Sequence, residues 1–324
     1  MSVNTGVTLS TQNQAITLRS ANLILSGTAA VNAGSGNVTF IPSSAVSIGI
    51  GSGGGLLSIS NAEVGAVTTT GTLIIGDPAL ASAVVVDDVA AGNKNITIAT
   101  NSTINDSDDA GDAIATTGTL TLRSNGAIGA LNGAQGLNTN VGTLSIASTG
   151  AGDATIANSA ATLNLGNLTV GGNFSVTSAG PIADTGTLAI TGTGAFTTNV
   201  ANQSITLDNI ANAFTGAVGF TTTGTGDATI NNGNVALTLG TSSVGRNLFI
   251  TAGNIAVDNI SAGNSITMTS GGNITESGAD VPADIAAGGV LSLTAVGTIG
   301  ILANAIEANI TGDLNVAPSG QIGG

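Results

Sequence analysis

The sequence predicts an all-β chain wound as a right-handed parallel β-helix (β-solenoid). Three observations predict it. Short runs alternate apolar and polar residues, the composition favours glycine and small aliphatic side chains, and one stretch returns at a spacing of 74 residues. Period-two alternation is the mark of a strand, because successive side chains point to opposite faces.

The repeat shows which positions are held fixed. Residues 149–177 read TGAGDATIANSAATLNLGNLTVGGNFSVT and residues 223–251 read TGTGDATINNGNVALTLGTSSVGRNLFIT, with 15 of 29 positions identical. Leu163/Leu237 and Leu165/Leu239 keep an apolar residue at every second place, and Phe174/Leu248 and Val176/Ile250 exchange one apolar side chain for another. Gly166/Gly240, Gly171/Gly245 and Asn173/Asn247 bound those runs. Glycine and asparagine tolerate positive φ, so they are expected where the chain turns. The repeated object is therefore a short strand, a corner and another short strand.

Composition supports the same class. The 324 residues include 49 Gly but only 5 Pro and 6 Phe, with no Trp, Tyr, His or Cys. Low charge (7 %) with a mean hydropathy of +0.44 argues against intrinsic disorder, which needs the reverse. Ala, Val, Ile and Leu make up nearly all the apolar content, which suits a thin layered core with no room for large rings. Without cysteine, disulfides and thiolate metal sites are excluded.

Spacing sets the size of the unit. TGTL stands at 70–73, 117–120 and 185–188, and VGTL at 141–144, which fits coils of about 22–24 residues. The 74-residue repeat is then about three coils, although four coils of about 18 also divide it. No helical periodicity is evident, and parallel crossovers are right-handed by strong default. At roughly 18–24 residues per coil the chain makes on the order of 13–18 coils, stacked at about 4.8 Å into a rod of roughly 65–85 Å. Residues 1–324 are read as one continuous solenoid with superrepeat copies at 149–222 and 223–296. Stability then adds coil by coil.

Two alternatives to this reading of the chain are weak. MSVNTGVTLS has neither a basic start nor an apolar run and is not read as a signal peptide. Residues 285–306 form a run of 22 residues without a charge, long enough to span a membrane, but they hold several Gly, Ser and Thr and lack flanking Lys or Arg. Two buried strands and their turns are expected there.

LSISNAEVGAVTTTGTLIIGD (57–77) resembles a repeat of large secreted exoproteins of the filamentous-haemagglutinin type. NAFTGAVGF (212–220) with ALTLGTSSVGRNLFITAGNI (236–255) is similar to another such repeat, and GVLSLTAVGTIG and TGDLNVAPSGQI extend the likeness. The resemblance implies an adhesin-like rod, extracellular or on the bacterial cell surface and exported by an outer-membrane partner. The family's secretion domain, with its NPNL-like and NPNG-like motifs, has no counterpart here. The chain is accordingly expected to be a passenger segment.

Charge and residue types bound the chemistry. Four basic residues (Arg19, Lys94, Arg123, Arg246) against eighteen acids give a net charge of −14. Nucleic acid and anionic membranes both need basic side chains, so neither partner is expected. NDSDDAGD places Asp106, Asp108, Asp109 and Asp112 close together, and clustered carboxylates can ligate Ca²⁺. The run matches neither an EF-hand loop nor a glycine-rich calcium repeat, and a solvated acidic turn is the favoured reading. Asp153, Asp184, Asp227 and Asp258 recur with the repeat, and are expected to hold turn amides rather than to form a catalytic pair. Threonine runs such as TTTGT lack the regular array an ice-binding face needs. Polysaccharide cleavage would need aromatic platforms and paired carboxylates or a placed base; no catalytic or cofactor-binding residue is assigned.

The expected function is that of a structural or adhesive extracellular rod. Its partners would be the flanking solenoid of a longer chain, or a host or neighbouring-cell surface. The alternative is a filament subunit that stacks end to end on copies of itself, because a terminal coil exposes unpaired strand edges.

Overall fold

The computed structural model describes residues 1–80, 82–108, 110–129, 136–278, 283–301, 304–320 and 322. It is a β-solenoid of about 13 turns, built from parallel strands and almost without helix. Two compact units make it up: Met1–Leu163 with Thr169–Gly172, and Asn164–Leu168 with Asn173–Gly324.

The second unit is the more regular, with three strands to a coil. Its first face stacks Phe174–Ser178, Gly194–Thr198, Val218–Thr221, Ser242–Val244, Ile260–Ala262, Ile285–Ala287 and Ala308–Ile310. Its second face stacks Ile182–Asp184, Ile205–Leu207, Ala228–Asn231, Leu248–Ala252, Ile266–Ser270, Leu291–Ala295 and Leu314–Pro318. The third face pairs Leu188–Ile190 with Ala213–Phe214, then stacks Leu237–Thr238, Ile255–Val257 and Ile274–Glu276. Strands Ile285–Ala287 and Leu291–Ala295 take the apolar stretch expected to hold two buried strands. No helix among the described residues is long and apolar enough to cross a membrane.

Coil length varies while strand register is kept. Eighteen residues separate Leu248 from its partner Ile266, and 25 separate Ile266 from Leu291. The expected contest between 18- and 24-residue coils thus has both answers. The 74-residue repeat is also not a whole number of coils. Phe174 lies in the first-face ladder with Gly194 and Val218, whereas its repeat equivalent Leu248 lies in the second-face ladder with Ala228 and Ile266. Moving from one to the other takes three coil steps and one corner.

The first unit stacks the same way with one long coil. Ile16, Val38, Leu73, Ile96, Leu120 and Leu144 form one inward column, and Ile48, Val84, Ile104, Ile128 and Ala154 form another. Between Val38 and Leu73 the step widens to 35 residues. The extra chain pairs Ile48–Gly51 with Leu57–Ile59 and then makes one helical turn, Asn61–Gly65. No helix was expected there, but the local signal is SNAE. Ser60 caps the Glu63 amide, and the Glu63 carboxylate reaches back to the Ser60 amide at 2.8 Å. This reciprocal pair satisfies two orphan donors and fixes the turn. The other Glu63 oxygen accepts the Leu25 amide at 3.2 Å, so the turn is tied to a neighbouring coil.

The core is apolar, and it does admit large rings. Phe40, Phe174, Phe196, Phe214 and Phe220 are all fully buried. In the second unit Phe196 meets Phe174 edge-on at 5.6 Å and Phe220 stacked at 6.0 Å, both favourable aromatic geometries. Space comes from Gly194, two residues away on the same inward side. A Cβ there would sit 3.1 Å from the Phe196 ring.

Candidate metal centre

The corners decide where the polar side chains go. At several corners an asparagine stands just before a strand, and its Oδ1 accepts the amide of the residue stacked one coil further along. Asn173 takes Thr193 (2.8 Å), Asn254 takes Asn273 (2.8 Å) and Asn273 takes Thr298 (2.9 Å) in the second unit. The residue after each asparagine donates to the carbonyl of that same upper residue, as Phe174 does to Thr193 and Ile274 to Thr298. One peptide is thus gripped by its N–H and its C=O together, which satisfies both backbone groups.

This arrangement explains the recurring TGTL. Its second threonine is the gripped residue each time: Thr72 by Asn37, Thr119 by Asn95 and Thr187 by Asn167. The residue before the motif adds a hydroxyl in two of these corners. Thr69 Oγ1 accepts the Gly71 amide and donates to the Gly36 carbonyl, and Thr116 Oγ1 does the same with Gly118 and Lys94.

Asn173, Asn247, Gly171 and Gly245 therefore have a different cause from the positive φ expected of them; none of the four has it. The asparagines are held by their side-chain bonds to the next coil. The glycines are held by close approach. A Cβ on Gly245 would lie 2.6 Å from the Gly224 carbonyl oxygen, and one on Gly263 would lie 2.3 Å from that of Gly245.

The recurring aspartates act in the same direction. Asp184 accepts the Asp208 and Asn209 amides at 3.1 and 3.2 Å, and Asp227 accepts the Asn247 amide at 2.9 Å. Each reaches the following coil rather than closing its own turn. Arg246 binds Asp227 through two hydrogen bonds, one of them from Nε to Oδ1 at 2.8 Å. The Arg246 hydrogen bonds hold the Asp227 carboxyl below the usual aspartate value, against the opposing effect of partial burial.

Of the acidic run at 105–112, the structure brings Asp106 and Asp108 together and adds Asp87. One carboxylate oxygen from each of the three lies within 4.8 Å of the others. Val86 pairs with Asp106 in the ladder between Val84–Asp87 and Ile104–Asp106, which places Asp87 beside it. Asp112 goes elsewhere, accepting from Ser159 Oγ at 2.7 Å and Asn140 Nδ2 at 3.1 Å. Asp109 lies outside the described residues. Asp106 is buried, and its oxygens accept the amides of Asn138 (3.1 Å) and Asp108 (3.4 Å). Burial pushes its carboxyl above the ordinary value, the Asp87 charge adds to this, and the backbone hydrogen bonds oppose it. Asp87 in turn accepts from Ser52 Oγ at 2.8 Å. The group offers hard oxygen donors, but its members are already tied to backbone and hydroxyl groups. Asp87 was missed because nothing in the sequence states which residue lies one coil below.

The second unit also carries a groove of about 550 Å³ along successive coils. Thr222, Ser243, Gly245, Ser261, Gly263 and Gly288 are among the small residues that line it. These side chains can offer hydroxyls and close backbone approach to a ligand.

Residues 151–221 match a family model described as "Repeats of unknown function (DUF5649)", which covers less than a quarter of the chain. No curated protein and no solved structure matches it. The fold and the match together define a repeat-containing β-helix protein.

Proposed function

We propose that the chain is a structural or adhesive rod, a passenger region of a bacterial surface or secreted exoprotein of the filamentous-haemagglutinin type. One observation carries this reading: several corner asparagines and aspartates are directed at the next coil. Asn173, Asn254 and Asn273, with Asp184 and Asp227, all bond backbone amides one coil away. Side chains used this way hold a stack in register, and a stack that gains stability coil by coil suits a spacer exposed to mechanical load. The small, mostly neutral outer side chains and the net charge of −14 suit a surface in contact with water.

Antibodies raised against the purified chain test the location. They are expected to label intact cells or the culture medium of the producing bacterium. Antigen found only after lysis, in the cytosolic fraction, would contradict the proposal. Negative-stain images of the purified chain separate a rod from a self-assembling filament: single particles favour the rod, and long fibres favour the filament.

A further inference from the structure

In the second unit a carboxylate stands where the solenoid otherwise places a core aliphatic. Strand Ile274–Glu276 stacks on Ile255–Val257, and the register pairs Glu276 with Val257, which is fully buried. Glu276 takes the same inward position and is itself only 7 % exposed. The next face begins at Ile285, preceded by Asp284, and one coil further along the equivalent residue before Ala308 is Glu307. Asp284 and Glu307 therefore stack at one corner, where the Glu307 amide donates to Asp284 Oδ2 at 2.8 Å. One carboxylate oxygen from each of Glu276, Asp284 and Glu307 lies within 4.8 Å of the others.

Asp284 makes this cluster different from the one at Asp106. It is 1 % exposed, and its Oδ1 is buried without a hydrogen-bond partner among the described residues. A buried carboxylate oxygen with no donor is costly unless a cation or proton meets it. The single basic residue of this unit, Arg246, is already held by Asp227. We propose that Glu276, Asp284 and Glu307 form a binding site for a divalent cation of the calcium type. Ca²⁺ takes oxygen ligands at about 2.3–2.6 Å, so two ligands on opposite sides of the ion stand about 4.6–5.2 Å apart and ligands at closer angles stand nearer, as the three oxygens here do. Mg²⁺ binds at about 2.0–2.1 Å and demands a tighter octahedron. The ion joins an inward residue of one coil to a corner of that coil and to the corner above. Its binding therefore stabilises the folded stack relative to the open chain.

Calorimetry and thermal melting of the whole chain with CaCl₂, and separately with MgCl₂, test the site. The expected result is one Ca²⁺ per chain, a melting temperature that rises with Ca²⁺, and at least tenfold weaker binding in Glu307→Gln. Glu276→Val, which copies the residue one coil below, should fold without added metal and lose the Ca²⁺-dependent rise in melting. Three outcomes would overturn the proposal. One is no heat and no melting shift at 10 mM Ca²⁺. Another is an equal response to Mg²⁺, which would remove the calcium assignment. The third is binding that survives both variants and disappears in Asp106→Asn/Asp108→Asn, which would move the site to the other acidic cluster.

Discussion

The strands Phe174–Ser178 and Leu248–Ala252 hold equivalent places in the 74-residue repeat, yet one lies on the first face and the other on the second. Both nevertheless do the same work. Phe174 and Val176, like Leu248 and Ile250, are buried in the core. Each strand follows an asparagine whose Oδ1 accepts an amide of the next coil, Thr193 for Asn173 and Ser265 for Asn247. What the sequence repeats is therefore an asparagine corner followed by a strand, and this element can serve on different faces. The coil is a larger object, assembled from three strands whose connecting corners vary in length and only some of which carry the asparagine.

If faces are interchangeable, equivalent substitutions on them should have equal effects. The largest expected effect is on the core. Val176→Asp and Ile250→Asp each bury a carboxylate without a partner, at a cost of about 3–5 kcal/mol. Chemical denaturation should give similar losses for the two; a loss on one face alone would break the equivalence. The corner comes next. Asn173→Ala and Asn247→Ala each leave an amide of the next coil without its acceptor, for about 1–2 kcal/mol apiece. Hydrogen exchange should show faster exchange at Thr193 in the first variant and at Ser265 in the second. Neither amide would change if the asparagines merely tolerated a turn.

A pH series sharpens the contrast between two aspartates. The folded chain lowers the Asp227 carboxyl below its ordinary 3.8, chiefly through the Arg246 hydrogen bonds. Its stabilising contribution is present above 3.8 and is lost as pH falls through the lower folded value. Burial raises the Asp106 carboxyl above 3.8. The contribution from Asp106 is present below 3.8 and is lost as pH rises through the raised folded value. Asp227→Asn should thus remove part of the acid-side loss of melting temperature, and Asp106→Asn part of the loss on the neutral side. Opposite signs are the expected result, and equal signs would contradict the assigned causes. The smallest effect belongs to the outer face. Thr238 is half-buried beside the fully buried Leu239, so Thr238→Asp should cost less than about 1 kcal/mol.

The strand pattern was legible in the alternation of Leu163, Leu165, Leu237 and Leu239, all of which are buried. Corner positions were legible too, but not their cause. Asn173 and Gly245 were expected for positive φ, whereas the first bonds the next coil and the second makes room for it. Nothing local in a sequence distinguishes these, because the partner lies one coil away and coil length changes from step to step. The same ignorance hid Asp87 from Asp106, and hid the Asp284–Glu307 corner. The short helix at Asn61–Gly65 escaped a search for long periodicity, although Ser60 and Glu63 spell its capping box. The buried rings were missed because composition does not reveal that Gly194 lies beside Phe196.

The central claim is that parallel coils stack in the assigned register, with coil steps of unequal length. Cysteine cross-linking tests it directly, since the chain has no cysteine of its own. Ser175 pairs with Ala195 on the outer side of the first face. Directly paired residues in neighbouring parallel strands lie about 4.8 Å apart, within disulfide reach. Oxidised Ser175→Cys/Ala195→Cys should form an intramolecular disulfide in high yield, and Ser175→Cys/Asn199→Cys should form little. Efficient closure of 175–199 with none at 175–195 would instead indicate coils of equal length, about a third of the 74-residue repeat, and would contradict the account.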